Sequence, residues 1–234
     1  SEVGNFTANG TIYEQNEIEF LPMPAEEAAD QLMLAKWVIR NLGYLNNLDV
    51  TFAPKITTGK AGSGLHIHMR LMRDGKNAML NPDRTLSDVA RRAIAGMMEL
   101  APSITAFGNK NPTSYLRLVP HQEAPTDVCW GVSNRTALVR VPLGWTSGVN
   151  MSVIANPLEK DYEGYDAGAK QTVEMRSPDG SANVYQLMAA LAVACRLGLE
   201  MDPAAALKKA EETFIDNHTD RSKFASLPDC CVDS

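Results

Sequence analysis

At 234 residues the chain is long enough to bury a substantial core, as one large domain or two small ones. Hydrophobic residues make up 44% and charged residues 21%, the balance of a globular protein and not of a disordered one. No apolar run reaches the roughly 18 residues of a membrane span and no targeting segment is visible. The net charge of -6 argues against a nucleic-acid partner, which would need an obvious basic face. Cys129, Cys195, Cys230 and Cys231 have no metal-ligand spacing, and the adjacent pair is poorly placed for an ordinary disulfide, so a reducing cytoplasm is the expected setting.

In chain order, an acidic, strand-like opening that contains Glu2 leads to a strand expected over Thr11 to Leu21. A helix follows from Ala25 to Asn46. Pro24 stands at its start, Glu26 and Glu27 favour its N-terminal dipole, and Ala28, Leu32, Ala35 and Ile39 recur on one face. Strands are expected over Leu48 to Lys55 and Leu65 to Leu71, with a turn at Asp74-Gly75. A second helix spans Leu86 to Ala101 and stops at Pro102. Strands over Thr136 to Val141 and Gln171 to Arg176 come next, then a turn at Asp179-Gly180. The nearly continuous apolar run from Ala182 to Met201 reads as a buried helix, and Pro203 opens a shorter polar one. Strands that follow one another, without regular strand-helix alternation, predict an α+β domain with an antiparallel sheet.

Strand geometry in Leu65 to Leu71 points His66, His68 and Arg70 to one face and Leu65, Ile67, Met69 and Leu71 to the other. Imidazole suits a divalent cation and guanidinium suits phosphate oxygens, although a solvated strand face has the same pattern. Glu174 and Arg176 share a face opposite Val173 and Met175, as ion ligand and anion clamp or as a cross-strand salt bridge. Glu2, Glu14, Glu17 and Glu19 add carboxylates, with Glu17 and Glu19 on one side of Ile18 and Phe20. Arg117, Arg135 and Arg140 supply planar cations of the kind phosphoryl transfer needs, or simply surface charge. No Gly-rich phosphate loop or kinase signature is present, so side chains and ions would have to hold phosphate.

Several runs stand out in order: Glu2-Val3 with Gln15-Asn16-Glu17-Ile18, Gly62-Ser63-Gly64-Leu65-His66-Ile67-His68, Asn111 through Pro120, Glu123-Ala124-Pro125, Asn134-Arg135-Thr136-Ala137 with Arg140-Val141-Pro142, and Val173 through Asp179. Taken together, they closely resemble the catalytic domain of glutamine synthetase. The resemblance implies a curved antiparallel sheet flanked by helices. It also implies that ATP phosphorylates the γ-carboxylate of glutamate and ammonia displaces the phosphate, with water excluded between the steps. Carried over by position, Glu2 and Glu17 would bind one Mg²⁺ or Mn²⁺, and His66 and Glu174 the other. His68 would contact ATP phosphate. Gly62 and Arg117 would hold glutamate, while Arg135, Arg140 and Arg176 would face the phosphates or the acyl phosphate. Glu123 would sit on the flap that closes over the intermediate and takes a proton from the amine.

Three departures shape the expectation. Ala61 stands where the family has Asn, His121-Gln122 replaces its Gly-aromatic pair, and the link from Glu2 to Gln15 is longer than in the common bacterial form. The first two open a sister reading, a γ-glutamyl ligase that uses an organic amine such as a polyamine; a non-catalytic relative is the third. Residues 1–234 are then expected to be a truncated catalytic domain. The small N-terminal β domain and the first catalytic strands would lie upstream, with negligible turnover in this segment alone. The family assembles as stacked rings of identical subunits, and the resemblance implies identical subunits as partners of the full-length protein, without fixing how this segment assembles. Glu174→Ala and His66→Ala are expected to abolish most activity with little loss of fold.

Overall fold

The computed structural model describes residues 2–142 and 167–227, together with 153, 156 and 158. The side chains of Glu2 and Val3, and the whole of Cys230 and Cys231, lie outside the described residues. A hairpin opens the chain, β1 (Glu2–Ala8) antiparallel to β2 (Thr11–Asn16), with Asn9 and Gly10 at positive φ in its turn. The strand expected to reach Leu21 ends at Asn16 because Glu2 is the last pairing partner β1 offers. Beyond it Ile18 and Phe20 are 57% and 41% exposed, so the supposed alternation of Glu17 and Glu19 about an apolar pair has no sheet to act in.

The central sheet contains β3 (Ile67–Met69), β6 (Asp127–Val132), β7 (Ala137–Val141) and β8 (Val173–Met175), in the order β3-β8-β7-β6. Two-residue strands β4 (Met72–Arg73) and β5 (Lys76–Asn77) form a small hairpin around Asp74-Gly75. In the central sheet β3–β8 and β8–β7 are antiparallel, as expected, but β7 and β6 are parallel. Only residues 133–136 join this pair, against the dozen or so that a parallel crossover usually needs. The fold is α+β with a mixed sheet. Strand β6 escapes sequence reading because Cys129, Trp130 and Gly131 are all buried, which erases the alternation that marks a half-exposed strand.

Register gives the sheet two unlike faces. Ile67, Met175, Val139 and Trp130 line up across the four strands as an apolar row. His68, Glu174, Arg140 and Gly131 form the adjacent row, which the pleat points the other way.

Helices cover the apolar face. The expected second helix is α2 (Asp88–Glu99), and a further one, α3 (Ala101–Gly108), begins where it was expected to stop, with Pro102 in its first turn, where a missing N–H costs nothing. A four-residue helix, α4 (Pro112–Tyr115), follows. The apolar run becomes α5 (Val184–Glu200), and Pro203 starts α6 (Pro203–Glu212). Ser87, Asn183 and Asp202 cap α2, α5 and α6, each accepting from a backbone N–H three residues on. Ile94, Met97, Leu138, Val139, Met175 and Leu187 interlock between helices and sheet. A Cβ on Gly96 would strike the Ala194 carbonyl, and one on Gly198 the Arg92 carbonyl, so α2 and α5 cross backbone to backbone. The long α1 (Ala25–Leu45) packs on α5 with Ala29 and Gly43 buried, yet leaves Leu34 and Trp37 61% and 62% exposed.

The segment expected as a strand over Leu48 to Lys55 is irregular. Its backbone bonds locally: Leu48 donates to the Gly43 carbonyl and Ser63 donates to the Pro54 carbonyl, which closes the loop ahead of His66. Cys129 and Cys195 are free, and burial raises both thiols to about 11. Among the described residues no single helix is long and apolar enough to cross a membrane.

Candidate active site

Glu174 has no exposed surface, yet it is a charged residue on a short strand, and its neighbours explain how it is tolerated. His66 Nδ1 lies 3.1 Å and Arg176 Nη1 3.2 Å from its Oε1, His68 Nε2 is 3.8 Å away, and Arg140 Nε meets Oε2. The Arg140 contact is an ion pair without hydrogen-bond angles, so Arg140 Nε and Glu174 Oε2 remain buried polar atoms with no hydrogen-bond partner. His68 and Arg140 arrive from the flanking strands in register with Glu174, and His66 and Arg176 extend the same face by two residues.

Arg117, 2% exposed, forms the floor behind His66. It donates from Nη1 to the Ser177 carbonyl at 2.8 Å and from Nη2 to the Arg176 carbonyl at 3.1 Å, with His66 Nε2 3.5 Å from Nη2. Glycines let the loop above it close down. A Cβ on Gly62 would come within 2.8 Å of Arg117 Cγ and strike the Pro54 carbonyl, and one on Gly64 would come within 2.6 Å of His66 Nε2. The Gln15 side chain, at the end of β2, donates to the Gly62 carbonyl and to Ser63 Oγ, both at 3.0 Å.

Glu123 occupies a turn at φ 57 on the far side. Its carbonyl accepts from Arg176 Nη2 at 3.2 Å, and its carboxylate lies 3.7 Å from Arg135 Nη1 in an exposed pair. Nine of the eleven residues given roles by the resemblance therefore share one neighbourhood: His66, His68, Arg117, Glu123, Arg135, Arg140, Glu174 and Arg176 joined by a chain of contacts, with Gly62 above Arg117. Glu17 is exposed beyond the end of β2, and Glu2's side chain is outside the described residues. Arg70 turns away, donating to the Ala169 carbonyl at 2.8 Å.

The charges are mutually tuned. Burial raises the Glu174 carboxyl, but the His66 hydrogen bond and the Arg176 and Arg140 charges together outweigh it and hold the group at about 2. Burial lowers His66, a shift that Arg176 and Arg117 reinforce and Glu174 opposes, so neutral imidazole is favoured. Burial also pulls Arg117 down to about 10, with Asp179 opposing and Arg176 adding.

An ionised carboxylate 3.1 Å from a neutral imidazole nitrogen has the donor chemistry of a Mg²⁺ or Mn²⁺ site, and Glu174 Oε2 lacks a hydrogen-bond partner. The fit is to part of a ligand set. Among the described residues no three His, Cys, Asp or Glu side chains converge on one point, because cations occupy the space around Glu174.

Residues 6–232 match the family model of the glutamine synthetase catalytic domain. The chain belongs to the glutamine synthetase family. Glutamine synthetase of Thermus thermophilus is 35% identical over 188 residues, 80% of this chain and 37% of that protein. That of Pyrococcus furiosus is 34% identical over 193 residues, 82% of this chain and 39% of its own length. A cryo-EM structure of Plasmodium falciparum glutamine synthetase superposes with a TM-score of 0.61 at 25% identity, covering 89% of this chain and 34% of that one. The chain thus spans a little over a third of the length of the curated glutamine synthetases it matches.

Two elements of this site went unread in the sequence. Lys55 is buried and donates to Lys60 and Gln122, although Ala53-Pro54-Lys55-Ile56 carries no periodic sign of burial. Buried Asn109 donates to the Ser177 carbonyl and to Asp179 Oδ2, both at 2.7 Å, and so steadies the carbonyl that also receives Arg117. The Asn-Lys-Asn run around Asn109 reads as an exposed turn.

Proposed function

We propose that the protein containing this chain ligates ammonia to the γ-carboxylate of glutamate at the expense of ATP. The observation that carries the reading is the row His68, Glu174 and Arg140, joined by His66, Arg176 and Arg117 on one face around a buried carboxylate. In this scheme a γ-carboxylate oxygen attacks the γ-phosphorus of ATP and ADP leaves. Ammonia then attacks the acyl carbon, phosphate departs, and the proton shed by nitrogen passes to the Glu123 carboxylate. Arg117 and Gly62 hold the glutamate, His68 the ATP phosphates, and Arg135, Arg140 and Arg176 the oxygens that gain charge. His66 and Glu174 would hold one Mg²⁺ or Mn²⁺, with Glu2 and Glu17 serving a second; such ions, when bound, supply neutralisation of phosphate charge. The proposed setting is a cytoplasmic ring of identical subunits.

The test supplies the full-length protein with ATP, glutamate and either ammonia or putrescine, and measures phosphate and amide. Amide that depends on ammonia supports the reading. Amide that depends on putrescine instead supports the organic-amine ligase, which Ala61 beside Gly62 and the exposed His121 beside Glu123 favour. Absence of both products, with Mn²⁺ binding also absent, would leave a non-catalytic relative.

A further inference from the structure

We propose that Lys55 and Gln122 form a latch between the Gly62 loop and the turn that carries Glu123, which makes Lys55 a positioning residue for the second half of the reaction. The catalytic part of this rests on the ligase reading above; the latch itself does not. Lys55 is 7% exposed, and its ammonium donates to the Lys60 carbonyl and to Gln122 Oε1, a residue 67 positions away.

Both ends of the latch are structurally committed. On one side, Lys55 and Lys60 lie in the loop that the Ser63 N–H to Pro54 carbonyl bond closes at 2.9 Å, and that loop sets Gly62 onto Arg117. On the other, Gln122 sits between His121 at φ 61 and Glu123 at φ 57. Two left-handed residues with side chains, one on each side of Gln122, persist only where the surroundings over-determine the backbone. Arg176 supplies one restraint, on the Glu123 carbonyl, and the Arg135 pair is exposed and correspondingly weak. Lys55 supplies the other from beneath, through Gln122.

The choice of residue also points to the site. Both oxygens that receive the ammonium are neutral, and burial, then the Arg117 charge, loosens the hold of Lys55 on its proton. A residue chosen for packing alone at this position would be apolar. Through the latch, the loop that would grip glutamate and the carboxylate that would receive the amine's proton move as one unit.

Hydrogen exchange by mass spectrometry on the full-length protein tests the latch in Lys55→Met, Gln122→Leu, the double variant and Gln122→Glu. Methionine keeps the length and bulk of lysine, and thermal melts identify any variant that fails to fold. Either single substitution should speed exchange over residues 120–124 by about ten-fold, as loss of a charge-assisted hydrogen bond implies. The double variant should match the singles because they remove the same interaction, while Gln122→Glu, which still accepts from the ammonium, should stay near wild type. Unchanged exchange in the folded singles, or additive effects in the double, overturns the latch. The catalytic consequence is read separately, as the ratio of phosphate released to amide formed. That ratio should rise several-fold in both singles with KM for ATP unaltered; a wild-type ratio in variants with loosened turns would overturn the positioning role. A wild-type protein that forms no amide from any amine, but whose variants still show the exchange pattern, would retain the latch and sink the ligase reading instead.

Discussion

Glu174 carries its charge with no surface exposed, and its surroundings change what substitution there should do. The sequence suggested a ligand that could be removed with little loss of fold. In the structure loss of its charge strands Arg140 and Arg176 beside an uncharged amide, so Glu174→Gln should cost about 3–5 kcal/mol in urea denaturation of the chelator-treated protein. His66, whose side chain is 28% exposed, should tolerate replacement by Ala with a much smaller loss of stability while turnover still collapses. The pH dependence follows from the same contacts. Because the folded carboxyl is held at about 2 against an ordinary 4.5, its contribution is complete above pH 4.5 and drains away as pH falls towards 2. The stability gap between wild type and Glu174→Gln should therefore narrow across that window; a gap constant from pH 6 to pH 2 would disprove the ionised, cation-held state. At this scale much was legible, since residue type and alternation marked His66, His68, Glu174 and Arg176. Their mutual partners were not, because register between distant strands leaves no local trace.

Helices α1, α2, α5 and α6 could be read from period and punctuation, and α3 was missed because proline can open a helix as well as end the one before it. Strand β6 and the irregular stretch before Gly62 were missed for a shared reason: burial of both faces and bonding to the loop are tertiary facts. The crossing of α2 and α5 yields a sharp expectation. Since the obstruction at Gly96 is a backbone carbonyl, which cannot rotate aside, Gly96→Ala should destabilise by about 1–3 kcal/mol or more, measurable as a lower urea midpoint. Ser87→Ala, which removes the cap of α2 and the hydroxyl's hydrogen bond to the Ala78 carbonyl, should cost about 1–2 kcal/mol. If the two rank in the opposite order, the close crossing is wrong.

For the molecule as a whole, α1 is the odd member: Leu34, Trp37 and Leu45 are 61%, 62% and 74% exposed on the helix that also buries Ala29 and Gly43. A helix apolar on several sides is out of place in water. The 234-residue chain alone should bind an apolar fluorescent dye strongly, and Leu34→Lys with Trp37→Lys should remove most of that signal without shifting the urea midpoint. Equal dye binding in the double variant would move the sticky surface elsewhere. The parallel neighbours β6 and β7 have a different global effect. The five Cα steps from Val132 to Ala137 stretch to about 18 Å at full reach, little more than the roughly 16 Å back along β6 that they must retrace. With so little slack, the strand bearing Arg140 has no room to slip sideways, and the geometry of the row His68, Glu174 and Arg140 is enforced by the brevity of the covalent chain as much as by packing.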